Sequence, residues 1–191
     1  GVYKLDMNKC ILERYISANY QSYNEMNGDN INDVFVDESK RIWLANYPTG
    51  ITVIDYRYEN YHWMKHSMGN KQSIVNDQVH AVIEDSDGDL WFGTSNGISL
   101  YNSGTGEWHS FLSSFNHQLK DKNHIFITLC EVSPGIIWAG GYTSGIYKIN
   151  KADLSVEYFS PYLLSHINMR PDKYIRDMIK DSKGHIWSGG Y

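Results

Sequence analysis

A tryptophan that returns every 47 to 49 residues, a turn cluster just ahead of it and a glycine just behind it predict an all-β chain. The architecture they predict is a β-propeller of four blades, each of four antiparallel strands, with about 48 residues per repeat. Trp43, Trp91, Trp138 and Trp187 recur at intervals of 48, 47 and 49 residues. They close the segments DESKRIW, DSDGDLW, VSPGIIW and DSKGHIW, and a small residue stands two places beyond each: Ala45, Gly93, Gly140 and Gly189. A second marker, glycine followed by a β-branched residue, occurs at Gly1, Gly50, Gly97 and Gly145 with the same period. Two independent markers that share one period fix the repeat.

Each period reads as four short strands. Val79 to Glu84 is an apolar run suited to a strand buried on both faces, and Asp85-Ser86-Asp87-Gly88 is a turn cluster. Leu90 to Gly93 follows, then a break at Asn96-Gly97, a third strand from Ile98 to Tyr101, a turn, and a fourth strand from Trp108 to Phe111. The next unit repeats the order with Phe126 to Glu131, Ile137 to Gly140, Ile146 to Ile149 and Val156 to Phe159. No segment between glycine breaks holds apolar residues at i, i+3, i+4 and i+7, so helical repeats do not fit.

The markers have physical roles. Asp37, Asp85 and Asp181 can accept backbone N–H bonds within the turn, and Gly88 and Gly184 take the positive φ that closes it. The four tryptophans pack between adjacent sheets. Lys40 stands where the turn glycine does in the first unit, and Val132 with Pro134 replaces the Asp turn in the third, which leaves room for other turn geometries there. The repeats are placed at 1–49, 50–96, 97–144 and 145–191 of a single propeller fragment, with both ends falling mid-blade. Such a fragment is expected to be part of a larger ring or to be closed by self-association.

Composition narrows the function. The 191 residues carry 17 Lys and Arg against 22 Asp and Glu, a net charge of −5, so the basic face a nucleic-acid binder needs is not supplied. Aromatic residues make up 14% of the chain, which favours pleated surfaces. No run approaches the roughly 18 apolar residues of a membrane helix, and the first residues are no signal peptide. Cys10 and Cys130 are too few and too far apart for a disulfide framework or a zinc site. No cofactor or metal is expected.

The pattern D-x-x-G-x-[LI]-W-x-G-[TG] followed by G-[IV]-x-x-[YIL]-[DN] resembles the two-component regulator propeller repeat. The stretch SIVNDQVHAVIEDSDGDLWFGTSNGISLYNSGTGEWHSF, residues 73–111, matches it almost throughout. The resemblance implies the periplasmic sensor region of a hybrid two-component system, anchored in the inner membrane and joined elsewhere in the parent protein to a histidine kinase, a receiver and a DNA-binding domain. It also implies that a glycan fragment is the ligand and that polysaccharide-utilisation genes are the output. The piece itself is then a non-catalytic binding or scaffold unit, with an oligosaccharide and further copies of itself as partners, no nucleic acid, and membrane contact only through the parent.

In a propeller, the loops from strand four to the next blade and from strand two to strand three share one face, where ligands gather. Residue types suited to sugars on these loops are Asn46, Tyr47, Asn76, Gln78, His80, Asn96, Asn123, His124, Tyr142, Arg170, Arg176 and Tyr191. Arg176 occupies the innermost-strand position of His80 and Asn32, and an ion pair with Asp177 or Asp33 explains it as well as a ligand does. Asp85, Asp87 and Asp89 suggest calcium, but an EF-hand needs a Glu where Asn96 stands, so a hairpin turn is the better reading. His62 and His66 have zinc-motif spacing without the following Glu and read as surface histidines. Two other functions are weighed: a scaffold for dimerisation without its own ligand, and a hydrolase or lyase, since sialidases are propellers too. The latter needs a carboxylate pair across a cleft, and most carboxylates here lie in turns.

Overall fold

A computed structural model describes residues 2–16, 30–55, 60–114, 124–159 and 174–190. It is all-β. The strands are β1 (Val2–Asp6), β2 (Ile11–Ile16), β3 (Ile31–Val36), β4 (Ile42–Asn46), β5 (Gly50–Asp55), β6 (Asn60–Met64), β7 (Val79–Glu84) and β8 (Leu90–Thr94). They continue with β9 (Gly97–Tyr101), β10 (Trp108–Phe111), β11 (Phe126–Ser133), β12 (Ile136–Gly141), β13 (Gly145–Asn150), β14 (Ser155–Phe159), β15 (Ile175–Lys180) and β16 (Ile186–Gly190). Three four-stranded antiparallel sheets, β3–β6, β7–β10 and β11–β14, are flanked by two-stranded sheets β1–β2 and β15–β16. The strands read from the two central repeats recur here within one or two residues at each end. The sheets form a partial propeller.

Strand alternation gives each sheet a forward and a backward face. On the first two strands of successive sheets, Phe35 pairs with Trp43, Ile83 with Trp91, Cys130 with Trp138 and Ile179 with Trp187, all on the forward face. Val34, Val82, Leu129 and Met178 occupy the backward face. The core is therefore a series of slabs between sheets. Trp43 is packed with Val82 and Phe92, and Trp91 with Leu129 and Phe126. In the last slab Trp138 meets Ile175 and Met178. Trp43 is 1% exposed, whereas Trp187 is 63% exposed, because no described sheet lies on the forward face of β15–β16.

The turn aspartates do more than close turns. Oδ1 of Asp85 accepts the N–H groups of Asp87 and Asp89, both at 3.0 Å, while Oδ2 accepts the Trp91 indole N–H at 2.8 Å. Asp37 repeats this with Arg41 and Trp43, and Asp181 with Lys183, His185 and Trp187. The Trp187 indole and the turn donors hold the Asp181 carboxyl down at about 2. Lys40 does not change the turn: its φ of 66° matches the 83° of Gly88 and the 84° of Gly184. In the third blade the turn is shorter, and Oε1 of Glu131 accepts the Gly135 N–H in place of an aspartate.

The three carboxylates of the Asp85 turn, which suggest calcium by residue type, surround a lysine. Lys151 Nζ, from the turn after β13, lies 2.8 Å from Asp85, 2.8 Å from Asp87 and 2.9 Å from Asp89 carboxylate oxygens. Burial alone would pull the ammonium down, but the three carboxylates outweigh it and hold Lys151 above the ordinary lysine range. Burial likewise pushes Asp85 up, and Lys151 with the Trp91 indole more than reverses it.

The glycine marker has its own reason. Gly97 opens β9 at φ 103°, and a Cβ there would come 2.5 Å from the Phe111 carbonyl oxygen. Gly50 repeats the case at φ 99° with the Met64 oxygen at 2.7 Å. Only glycine combines that φ with so close a backbone crossing.

Replacing Lys151 by Met leaves three carboxylates turned toward one another, the Asp85 side chain fully enclosed. The expected loss of stability is about 2–4 kcal/mol, read as a lowered urea midpoint at unchanged m-value. A midpoint equal to that of the parent chain would refute the coupling between these two blades.

Candidate functional site

A repeated hydrogen bond builds one face of the molecule. The turn after the second strand of each blade donates to the residue leading into its first strand: Tyr47 N–H to Asn30 O, Ser95 N–H to Gln78 O and Tyr142 N–H to Ile125 O, each 2.9 Å. The interblade loops join the same face. Gly50 N–H donates to Asp77 O at 2.6 Å, Gly97 N–H to His124 O at 2.7 Å, and Ser114 N–H to the Asn96 side-chain oxygen at 3.0 Å. Among the described residues, these turns and loops are hydrogen-bonded to one another at one end of the sheets.

A second repeat presents side chains there. Each innermost strand carries a bulge one residue after its start, where the register skips Asn32, His80, Ile127 and Arg176. A bulge re-aims the residue it isolates. At the boundary of the first two full blades this brings Asn32, His80, Ser95 and Tyr47 together. His80 Nε2 lies 2.8 Å from Ser95 Oγ, His80 Nδ1 lies 3.3 Å from Asn32 Nδ2, and the Tyr47 and His80 rings are 5.8 Å apart.

The chemistry of this cluster follows from one fixed amide. Asn32 Nδ2 also donates to the Val79 carbonyl oxygen at 2.9 Å, and a carbonyl oxygen can only accept, so the atom facing Nδ1 is the NH2 group. Nδ1 then holds the lone pair and Nε2 the proton, which it donates to Ser95 Oγ. A histidine activating a serine nucleophile needs the opposite arrangement. The cluster is instead a set of oriented donors and acceptors beside an aromatic ring, with the Ser95 hydroxyl proton not used in the bond from His80. Burial pushes the His80 imidazole below the ordinary histidine range, which keeps it neutral near pH 7.

The remaining sequence candidates distribute as follows. Asn46 is fully buried at the end of β4 and presents nothing to solvent. Asn76 is half-buried, its Oδ1 accepting the Gln78 N–H at 2.9 Å, and the Gln78 side chain is half-buried next to it. Asn96 is engaged with Ser114, and His124 Nδ1 donates to Leu112 O at 2.9 Å. Tyr142 is exposed and meets Tyr174 edge-on at 4.5 Å between ring centres. Arg176 is exposed, and no ion pair holds it among the described residues. The carboxylates expected to pair with it are used otherwise: Asp33 accepts the Val82 N–H at 2.9 Å, and Asp177 accepts from Thr128 Oγ1 and its neighbour Met178 N–H. Asn123, Arg170 and Tyr191 lie outside the described residues.

Sequence reasoning did not single out Ser95 or Tyr174 as site residues. Ser95 carries no signal of its own, being one more small turn residue, whereas Asn32 is marked by standing one period before His80. His66 is not a surface histidine: it is half-buried, with Nδ1 donating to Ile74 O at 2.9 Å and its backbone N–H to Asp77. The His62 side chain lies outside the description. Among the described residues no group of His, Cys, Asp and Glu is placed to hold a metal. In an NMR titration the His80 ring should protonate below pH 6.5, and the stability it contributes should be full above about pH 6.5 and fall as pH drops below it, since the unfolded chain takes the proton first. A His80 midpoint at or above 6.5 would contradict the buried, neutral assignment.

The family model of the two component regulator propeller matches residues 73–96. Among solved structures, the extracellular domain of the putative hybrid two component system BT3049 from B. thetaiotaomicron is similar over 95% of this chain and 24% of that one, at TM-score 0.76 and 20% identity. The extracellular domain of the putative one component system BT4673 from the same organism is similar over 100% of this chain and 23% of its own, at TM-score 0.68 and 20% identity. PorZ, a surface component of the type-IX secretion system of Porphyromonas gingivalis, follows at TM-score 0.68 and 11% identity, over 98% of this chain and 28% of its own. The chain spans about a quarter of the length of these structures. No curated protein matches the sequence. At these identities the structural likeness speaks for the fold, and together with the family match it shows a β-propeller segment that carries a two component regulator propeller repeat at residues 73–96.

Proposed function

We propose that the chain is part of the extracytoplasmic, ligand-sensing propeller of a hybrid two-component histidine kinase and response regulator. In this reading it lies on the periplasmic side of an inner-membrane protein, binds a glycan fragment, and so controls polysaccharide-utilisation genes. The propeller repeat and the extracellular domains it resembles support the sensor assignment. The observation that carries ligand binding is the Asn32–His80–Ser95–Tyr47 cluster, an uncharged set of hydroxyl and amide groups beside an aromatic ring, which is the chemistry that sugar hydroxyls and an apolar sugar face require. The reading assigns no catalysis to these blades.

Calorimetric titration with neutral and acidic oligosaccharides tests it. A saturable heat that falls about tenfold in affinity in His80→Ala is expected, as one or two oriented hydrogen bonds are lost. Flat heats across both panels would sink the glycan assignment, and hydrolysis of the ligand would move the chain to the propeller enzymes.

A scaffold reading has its own support in apolar residues on faces that no described sheet covers: Val34 and Val36 on β3, Ile179 and Trp187 on β15–β16, all exposed. Inside the chain the equivalent positions are joined blade to blade, so self-association through these faces is the expected behaviour of this polypeptide. Sedimentation of the chain as a monomer at high concentration would count against it.

A further inference from the structure

The loop 65–78 crosses from the outer strand β6 to the inner strand β7, and it forms a half-open pocket of about 420 Å³ beside the outer strand β10 of the next blade. That volume falls within the roughly 300–1,000 Å³ of small-molecule pockets. The walls are pinned. Gln72 Oε1 accepts the Trp108 N–H of β10 at 2.9 Å, the Val75 N–H donates to Ser99 Oγ at 2.9 Å, and Ser73 Oγ accepts the Ser67 N–H at 3.1 Å. The lining is mainly hydrocarbon, from Ile74, Val75 and Met68, with Ser110 on the β10 side.

Two ionisable side chains in this lining each carry a polar atom without a partner among the described residues. One is the ammonium of Lys71, on an exposed side chain. Among the described residues no carboxylate lies within ion-pair distance of it. The other is His66 Nε2. Because His66 Nδ1 donates its proton to the Ile74 carbonyl, Nε2 is a lone-pair acceptor. An apolar cavity, one unpaired cation and one unpaired acceptor define a ligand with complementary parts.

We infer that this pocket binds a small aromatic or hydrocarbon carboxylate that also carries one hydrogen-bond donor. The apolar body fills the space over Ile74 and Val75, the carboxylate meets Lys71, and the donor meets His66 Nε2. The site is separate from the His80 cluster and does not depend on glycan binding there.

Indole-3-acetate has these three parts and serves as the probe, with indole-3-acetamide as the uncharged control, in NMR titrations of the whole chain. Saturable shifts of the His66 ring and Met68 methyl signals are expected with indole-3-acetate. Lys71→Gln, at an exposed and unpaired position, should weaken the acid about two- to fivefold and leave the amide unchanged. Ser110→Phe, which fills the cavity from the exposed side of β10, should abolish binding by both. Failure to saturate by about 10 mM, shifts confined to other residues, or equal affinity of acid and amide for the parent chain would each overturn the inference.

Discussion

In three of the sheets, at Asp37, Asp85 and Asp181, one carboxylate joins two jobs that must agree for the sheets to stack. The aspartate at the end of the first strand closes the hairpin with one oxygen and accepts the indole N–H of the tryptophan six residues on with the other. An indole buried between sheets needs an acceptor, because an unsatisfied donor there costs on the order of 1–3 kcal/mol. By supplying it from the turn, the chain fixes the tryptophan ring flat on the forward face and leaves its area for the next blade. The third blade departs from this arrangement. Without the aspartate, its turn is closed by Glu131, and Trp138, which faces the two-stranded sheet β15–β16, is half-buried.

Links between blades build on that stacking. Glu131 reaches back to the Ser86 N–H and hydroxyl of the preceding turn, Asp33 holds the Val82 N–H of the following blade, and Thr128 holds that of Met178. Lys151 locks the far end of the interface between the second and third full blades by gathering three aspartates. These bonds set the spacing of the innermost strands, and with it the distance between residues that no single blade brings together. The Asn32–His80 contact exists only because two blades are held at that separation. The same spacing lets the loop 65–78 rest on the outer edge of the neighbouring sheet and form a half-open pocket there.

Much of the fold was legible in the residues. The Trp and Gly markers carry one period, and the apolar runs between Asp turns and Asn-Gly breaks gave strands that the structure repeats. The reason is local: a φ near 100° beneath a crossing carbonyl admits only glycine, and the turn admits few residues besides Asp at its start. Lys40 shows the limit of such reasoning, since it adopts the glycine conformation at the same turn. The face shared by the loops was legible from topology, but its membership was not. Asn46 has the right residue type and faces inward, while Ser95 has no distinguishing feature and lies hydrogen-bonded to His80.

The sequence by itself determined the repeat, the strand order within each blade and the tryptophan slabs, because these depend on periodicity and on residues close in the chain. Only the tertiary structure decided which side chains meet across blades: the tautomer of His80, the lysine in the aspartate cluster that resembled a cation site, and the use of Asp33 and Asp177 in bonds other than to Arg176. Those outcomes depend on contacts between residues some 48 to 66 positions apart, set by bulges and by the angle at which one sheet lies on the next, and neither residue type nor spacing encodes that angle.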